Sequence, residues 1–333
     1  MTDWENYYQN KNVLITGGLG FLGSNLAILL SKLGAKVSIM DSRLENHGAN
    51  DTNIQGIKKS LRIYQEDIRD AEAVKRNIKG QEIIFNLAGQ VNHADSEKNP
   101  FQDIEINCEG HMNILQALMD YNPSCRIVYP TSRMTYGKIK KEDLPIKEAH
   151  PLSPQGIYAI NKATAERYYE HYKAKGIDAL ILRITNPYGP RAQVKTPNYG
   201  IINWFIRKAI EDGEITIFGK GDQLRDIIFV DDISRGFAMA GAYNKNEAHT
   251  FNLGAGTGLK LRTIAETVIN VVGGGRIKGI PWPVEYKLKE TGDFVADISL
   301  AKRHLGWEPI TPLEEGIQKT AKFYRQHKES YFK

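Results

Sequence analysis

Cysteine is nearly absent. Cys108 and Cys125 are the only two in 333 residues, and neither stands in a metal-ligand spacing. That argues against a disulfide framework and against a zinc site or any other metal; both thiols are expected in the core. Long hydrophobic runs are also missing: no stretch approaches the roughly 18 apolar residues of a spanning helix. Met1 to Lys11 is too polar for a secretory signal, so no membrane association is expected and the expected compartment is the cytoplasm. No block of like charge exists either. The net charge of +5 is spread along the chain, which points to anionic small molecules and away from nucleic acid. No internal repeat or low-complexity tract interrupts the sequence.

What is present is an alternation. Apolar runs at Val13 to Thr16, Lys36 to Met40, Leu61 to Gln65 and Glu82 to Leu87 are each followed by a turn and a stretch of helical spacing, and Arg126 to Tyr129 and Ala179 to Arg183 continue the series. This grammar predicts an α/β fold, a doubly wound parallel sheet of six strands, with helices across 99–121 and 156–175. Beyond Thr185 come loops rich in proline and glycine (NPYGPR, KTPNYG, FGKGDQ, GIPWPVE). They predict a smaller C-terminal substrate-binding α/β domain. The expected division is 1–184 and 185–333, with His249 to Leu253 returning to the sheet.

The first strand runs into TGGLGFLGSNLAILL, which sets Gly17, Gly20 and Gly23 at the start of a helix. Glycine permits a tight turn and close approach of a pyrophosphate, whose charge meets free N–H groups and the positive end of the helix. A Rossmann domain binding a dinucleotide is therefore expected. Asp41 ends the second strand, where a carboxylate accepts from adenosine ribose hydroxyls and repels a 2′-phosphate; this favours NAD, although Arg43 could accommodate that phosphate. Asp67 and Ile68 are expected beside the adenine, with a helix-capping carboxylate as the alternative for Asp67.

Tyr158 and Lys162 in YAINK stand four residues apart, on one face of a helix. An ammonium beside a phenol favours the phenolate, lowering the tyrosine toward working pH, where it takes a proton from a hydroxyl. Tyr-x-x-x-Lys alone fits an ordinary solvated helix. Here Ser132 in PTSRMTYG falls just past a strand's C-terminal edge, where such sheets bind ligands; a turn residue is its plainer reading.

With these segments in place the chain resembles extended short-chain dehydrogenases/reductases of the NAD-dependent sugar epimerase/dehydratase family, similar to UDP-glucose 4-epimerases. TGGLGFLG, EDIRD, NLAGQV, NCEGHMNIL, SRMTYG, YAINK, LRITNPYGP, QLRDIIFVDD and LGWEP follow in the family's order. The resemblance implies that Ser132, Tyr158 and Lys162 are the catalytic triad, with Lys162 also binding the nicotinamide ribose. It places Phe21, Leu22, Leu87, Ala88 and Gly89 beside the cofactor, and makes Asn107 the asparagine that holds the active-site helix. Val91, Arg133 and Asn186 fall beside the nucleotide-sugar substrate, and Arg225 becomes the diphosphate cation, against a plain salt bridge to Asp226 or Asp231. Tyr199 to Phe205 and Arg207 would lie near the base.

Dehydratases of the family carry an acidic pair directly after the active-site hydroxyl, and decarboxylases a glutamate two positions on. Arg133 and Met134 stand there instead. The resemblance therefore points to an epimerase that inverts C4 of a nucleotide-linked hexose, such as UDP-glucose or UDP-galactose, through a keto sugar. LAGQV is similar to the CDP-tyvelose 2-epimerases, which leaves inversion at C2 open; a 4-keto-sugar reductase or dehydrogenase is a third reading. A non-catalytic NAD(P)-sensing regulator would have no use for a poised tyrosine. Family analogy also implies a homodimer through helices 99–121 and 156–175. The aromatic segment Asp3 to Tyr8 is expected on the outside of the domain.

Overall fold

The computed structural model describes residues 3–45, 47–245, 247–283 and 290–333; the last two residues of the GIPWPVE loop lie outside these. The apolar runs become strands β1 (Asn12–Thr16), β2 (Lys36–Met40), β3 (Arg62–Tyr64), β4 (Ile83–Asn86), β5 (Arg126–Ser132) and β6 (Ala179–Ile184). After them come β7 (Asn186–Tyr188), β8 (Glu214–Phe218), β9 (Leu224–Arg225), β10 (Ile227–Phe229), β11 (Thr250–Leu253), β12 (Leu259–Lys260) and β13 (Arg276–Ile280). The main sheet has seven strands in the order β11-β6-β5-β4-β1-β2-β3, every pair parallel. The seventh is the return segment, with Thr250 to Leu253 paired to Ile181 to Ile184.

The inner strands β1, β4 and β6 are covered on both faces and are largely apolar, whereas the edge strand β3 is half-buried at best. Alternate residues of β1 feed opposite layers: Val13 and Ile15 join Leu26, Phe85 and Phe237, whereas Leu14 joins Val74, Leu115 and Tyr169. The chain reverses direction across the sheet between β1 and β4, and a crevice opens above their carboxyl ends. Both cysteines are buried thiols.

Three expectations change. The stretch 99–121 is two helices, Pro100–Ile104 and Gly110–Tyr121, joined by a wider π turn at Glu105–Glu109. The apolar spacing runs through that turn and hides it. The N-terminal segment does not lie wholly outside: Tyr8 is fully buried in the first core, and its hydroxyl donates to the Ala238 carbonyl at 2.5 Å. Finally, the chain beyond 184 enters that core at more places than β11. The helix Val230–Ala242 contributes Ile233 and Phe237, and Trp307 packs beside them. Most of the remaining C-terminal elements form a separate core around Phe205, Ile217, Ile264 and Tyr324, carrying the small pairs β7·β10, β9·β12 and β8·β13, while Phe294 and Ala296 pack with Tyr136 and Ile146.

Candidate active site

The crevice is closed on one side by the glycine turn. Gly17 has φ +65°, and a Cβ there would stand 2.8 Å from the Ala88 nitrogen. At Gly23 a Cβ would meet the Gly17 carbonyl oxygen at 2.4 Å and Gly18 Cα at 2.7 Å. Only glycine permits this approach. The helix Phe21–Lys32 follows with Gly20 at its N-cap and no side chain capping it, so its first N–H groups face the crevice. Phe21 and Leu22 line the crevice as well.

Asp41 fixes the turn from the neighbouring strand. Its carboxylate accepts from Leu19 N at 3.0 Å and Arg43 N at 2.9 Å, and burial raises its pKa. Arg43 does not offer its guanidinium to the crevice: Asp51 holds it at 2.5 and 3.1 Å. The reserve for a 2′-phosphate is thereby engaged elsewhere, and only the backbone of Arg43 supports the turn. Asp67 and Ile68 line the crevice. The capping alternative for Asp67 fails, because Asp70 caps Ala71–Ile78 through Glu72 N and Ala73 N and Asp67 holds Arg69.

At the other end β5 delivers Ser132 and the helix Ile157–Ala174 delivers Tyr158 and Lys162. Ser132 Oγ accepts from Met134 N at 3.2 Å and lies beside the Tyr158 phenol. Burial pushes Tyr158 up to about 12, a rise that the Ser132 contact opposes. The expected lowering by Lys162 is thus absent in the protein by itself. The Lys162 ammonium stands 5.3 Å over the Tyr129 ring, and burial lowers its own pKa to about 8. Gly89 shows where it points: a Cβ there would be 2.9 Å from both Lys162 Nζ and Asn107 Oδ1. Leu87, Ala88 and Val91 complete this wall.

Asn107 sits in the π turn and donates to the Gln90 carbonyl at 3.0 Å and to Asp103 at 2.9 Å. Its buried Oδ1 has no hydrogen-bond partner among the described residues. Sequence reasoning missed Asp103, which is fully buried and also accepts from Ser96 at 2.5 Å and Asn161 at 2.8 Å. Asp103 thus ties three segments around Lys162. Its position one helical turn before Asn107 was the available signal. His93 was missed too: its ring stacks on Tyr158 at 4.4 Å, and burial lowers its pKa to about 4. It opens the short helix His93–Lys98 two residues after Val91, beyond the β4 edge, where crevice residues are expected.

The substrate positions separate. Arg133 and Asn186 line the crevice, joined by Arg133 Nε to Asn186 Oδ1 at 3.2 Å. Arg225 is already occupied: Glu290 receives its guanidinium at 2.7 Å on both oxygens. Neither Asp226 nor Asp231 is its partner. Tyr199 to Ile202 reach the crevice, but Phe205 is wholly buried and Arg207 is bound to Glu211 and to the Val194 and Phe332 carbonyls.

An uncapped helix start, a turn with no room for a Cβ and an ammonium above a strand edge form a cradle that fits a dinucleotide, with a phenol and a hydroxyl at its reacting end. The protein is a Rossmann-type dinucleotide enzyme. It belongs to the NAD-dependent epimerase/dehydratase family, whose profile matches residues 13–254, and its cofactor is NAD. The chain is 31% identical to a CDP-paratose 2-epimerase of Salmonella typhi, covering 92% of this chain and 97% of that one. It is 29% identical to a UDP-glucose 4-epimerase of Lactobacillus helveticus, with 96% and 98% covered. A solved UDP-glucose 4-epimerase of Thermotoga maritima with UDP-glucose superposes with a TM-score of 0.85 at 27% identity, over 95% of this chain and 99% of that one. Among the described residues no helix is long and apolar enough to cross a membrane.

Gly23→Ala is expected to weaken NAD about ten- to hundredfold, because the methyl must displace the backbone of Gly17 or Gly18. Titration of cofactor-stripped protein checks this, with circular dichroism to confirm the fold.

Proposed function

We propose that this protein inverts a carbon of a nucleotide-linked hexose, most directly C4, by transient oxidation to a keto sugar with its NAD retained. The observation that carries this reading is the distribution of acids. Among the described residues lining the crevice, the carboxylates are Asp41, Glu66 and Asp67, all at the adenosine end. The reacting end offers Ser132, Tyr158, His93 and Arg133. A dehydratase needs an acid there to protonate a leaving hydroxyl; an epimerase needs only a group that takes one proton and returns it.

NAD, when bound, supplies the acceptor and later the donor of the hydride. Tyr158 takes the proton of the sugar hydroxyl and gives it back after the keto sugar has turned over. Ser132 hydrogen-bonds the same oxygen and holds the phenol in line. Lys162, Asn107 and the glycine turn hold the cofactor, and Asp103 holds Asn107 and the helix that carries Tyr158 and Lys162. A second reading, inversion at C2, has support from the CDP-paratose 2-epimerase relative.

The test is NMR of the sugar protons in deuterated water, with purified protein, no added cofactor and a panel of UDP-, CDP-, GDP- and dTDP-linked hexoses and hexuronates. Inversion at C4 without deuterium uptake is expected; inversion at C2 selects the second reading. Conversion only when NAD(P)H and a keto sugar are supplied would leave a reductase instead.

The same reading includes a homodimer. Phe101 is 76% exposed, and Ile104 and Ile160 are 44% and 45% exposed on neighbouring helices, a surface suited to a second copy. Sedimentation at micromolar concentration should give twice the chain mass, and Phe101→Glu should shift it to monomer.

A further inference from the structure

Arg133 is 9% exposed and, among the described residues, has no carboxylate within ion-pair distance. Two other sequestered guanidinium groups have one: Arg183 holds Glu166 at 2.7 Å, and Arg225 holds Glu290 at 2.7 Å. The donors of Arg133 meet only neutral side chains, Asn186 Oδ1 through Nε at 3.2 Å and Thr291 Oγ1 through NH1 at 3.2 Å. Its second terminal nitrogen donates to nothing among the described residues. The guanidinium lies 5.4 Å from the Phe294 ring centre, which holds it in place while giving no counter-charge. Burial and the neighbouring Arg225 charge bring its pKa down to about 10, against the opposing pull of the more distant Glu290 and Asp226 charges. A buried cation with no carboxylate in direct contact among the described residues is costly, and its planar fork suits one.

Its location limits which anion it meets. Arg133 directly follows Ser132, and its charge is felt by His93, the ring stacked on Tyr158. It therefore stands where the sugar hydroxyl reacts. In a nucleotide hexose the C5 substituent is next to C4, whereas the diphosphate leaves from C1 across the ring.

We propose that Arg133 binds a carboxylate carried on the sugar, so that the substrate is a nucleotide-linked uronic acid in place of a neutral hexose. This rests on the nucleotide-sugar epimerase reading and names its substrate class. The carboxylate meets the second terminal nitrogen of the guanidinium, with Asn186 and Thr291 keeping the fork in plane.

The test measures binding and turnover separately. Free UDP, CDP, GDP and dTDP are first ranked by calorimetry on the NAD-containing protein, and the tightest base is then compared as its glucuronate, galacturonate, glucose and galactose diphosphates. A uronate preference of about 30-fold is expected in the wild type, the size of one charge-assisted pair. It should collapse to near unity in Arg133→Gln and be partly kept in Arg133→Lys. A wild type that binds the hexose as tightly as the uronate overturns the proposal without any variant. So does an Arg133→Gln protein that loses uronate, hexose and free diphosphate alike, since the anion would then be the diphosphate. Binding none of these diphosphates also overturns it. Uronates bound with an Arg133-dependent preference yet never inverted would leave this proposal standing and sink the epimerase reading.

Discussion

Tyr158→Phe is expected to lower turnover by about three orders of magnitude while the nucleotide sugar still binds. The substitution removes one oxygen and little else: the ring stays stacked on His93 at 4.4 Å, and the buried site loses no volume that neighbours must fill. The lost oxygen lies beside Ser132 at the reacting end of the crevice, placed to take a proton from a sugar hydroxyl and return it. The pH dependence follows from the same burial. A phenol acts as a base only after losing its proton, and in the protein alone burial holds Tyr158 at about 12. The active form is thus scarce at neutral pH, and kcat/KM should climb from neutral into alkaline solution. A bound positive nicotinamide favours the phenolate and brings the rise to lower pH. In Tyr158→Phe the residual rate should show no such limb. Comparison of kcat, KM and pH profile by the NMR assay decides: a variant within tenfold of the wild type would mean that another group moves the proton.

Much of this arrangement was legible in the sequence, for identifiable reasons. The glycine turn could be read because the backbone demands it makes, at Gly17 and Gly23 above all, are met by one residue type alone. The strands could be read because a sheet covered on both faces needs unbroken apolar runs, and the same signal located β11 far along the chain. Features that depend on distant partners could not. Nothing near Arg225 says that Glu290, 65 residues away, will occupy it, nor does MTDWENYY say that Tyr8 will reach Ala238. The π turn at Glu105–Glu109 is hidden because one extra residue in a turn barely disturbs helical spacing. The ionisation of Tyr158 was misjudged because its spacing from Lys162 is local, whereas the burial that outweighs it belongs to the whole fold.

The other large effect is on stability, at a residue outside the crevice. Glu166→Ala is expected to cost about 3–5 kcal/mol, because it leaves a buried guanidinium without its anion. Glu166 is fully buried on the helix that carries Tyr158 and Lys162, and Arg183 on β6 is 5% exposed. Arg183 reaches both carboxylate oxygens, through Nε at 3.3 and 3.1 Å and NH2 at 2.7 Å. Its remaining donor joins Tyr136 at 3.0 Å and the Glu148 carbonyl at 2.8 Å, so Arg183 cannot turn to solvent without breaking those bonds too. The pair therefore fastens the catalytic helix to the sheet, and denaturant unfolding should show the loss as a lower midpoint. Glu166 also supports the charge on Lys162 one turn earlier; without it the ammonium loses a favourable neighbour, and NAD affinity should fall along with stability. The double variant Glu166→Leu/Arg183→Met separates the two effects. Removing both charges should restore most of the stability, since neither partner is then stranded, while the weaker hold on NAD persists because the carboxylate is still missing. A Glu166→Ala cost below about 1 kcal/mol would instead mean that the Glu148 carboxylate moves over to take the place of Glu166.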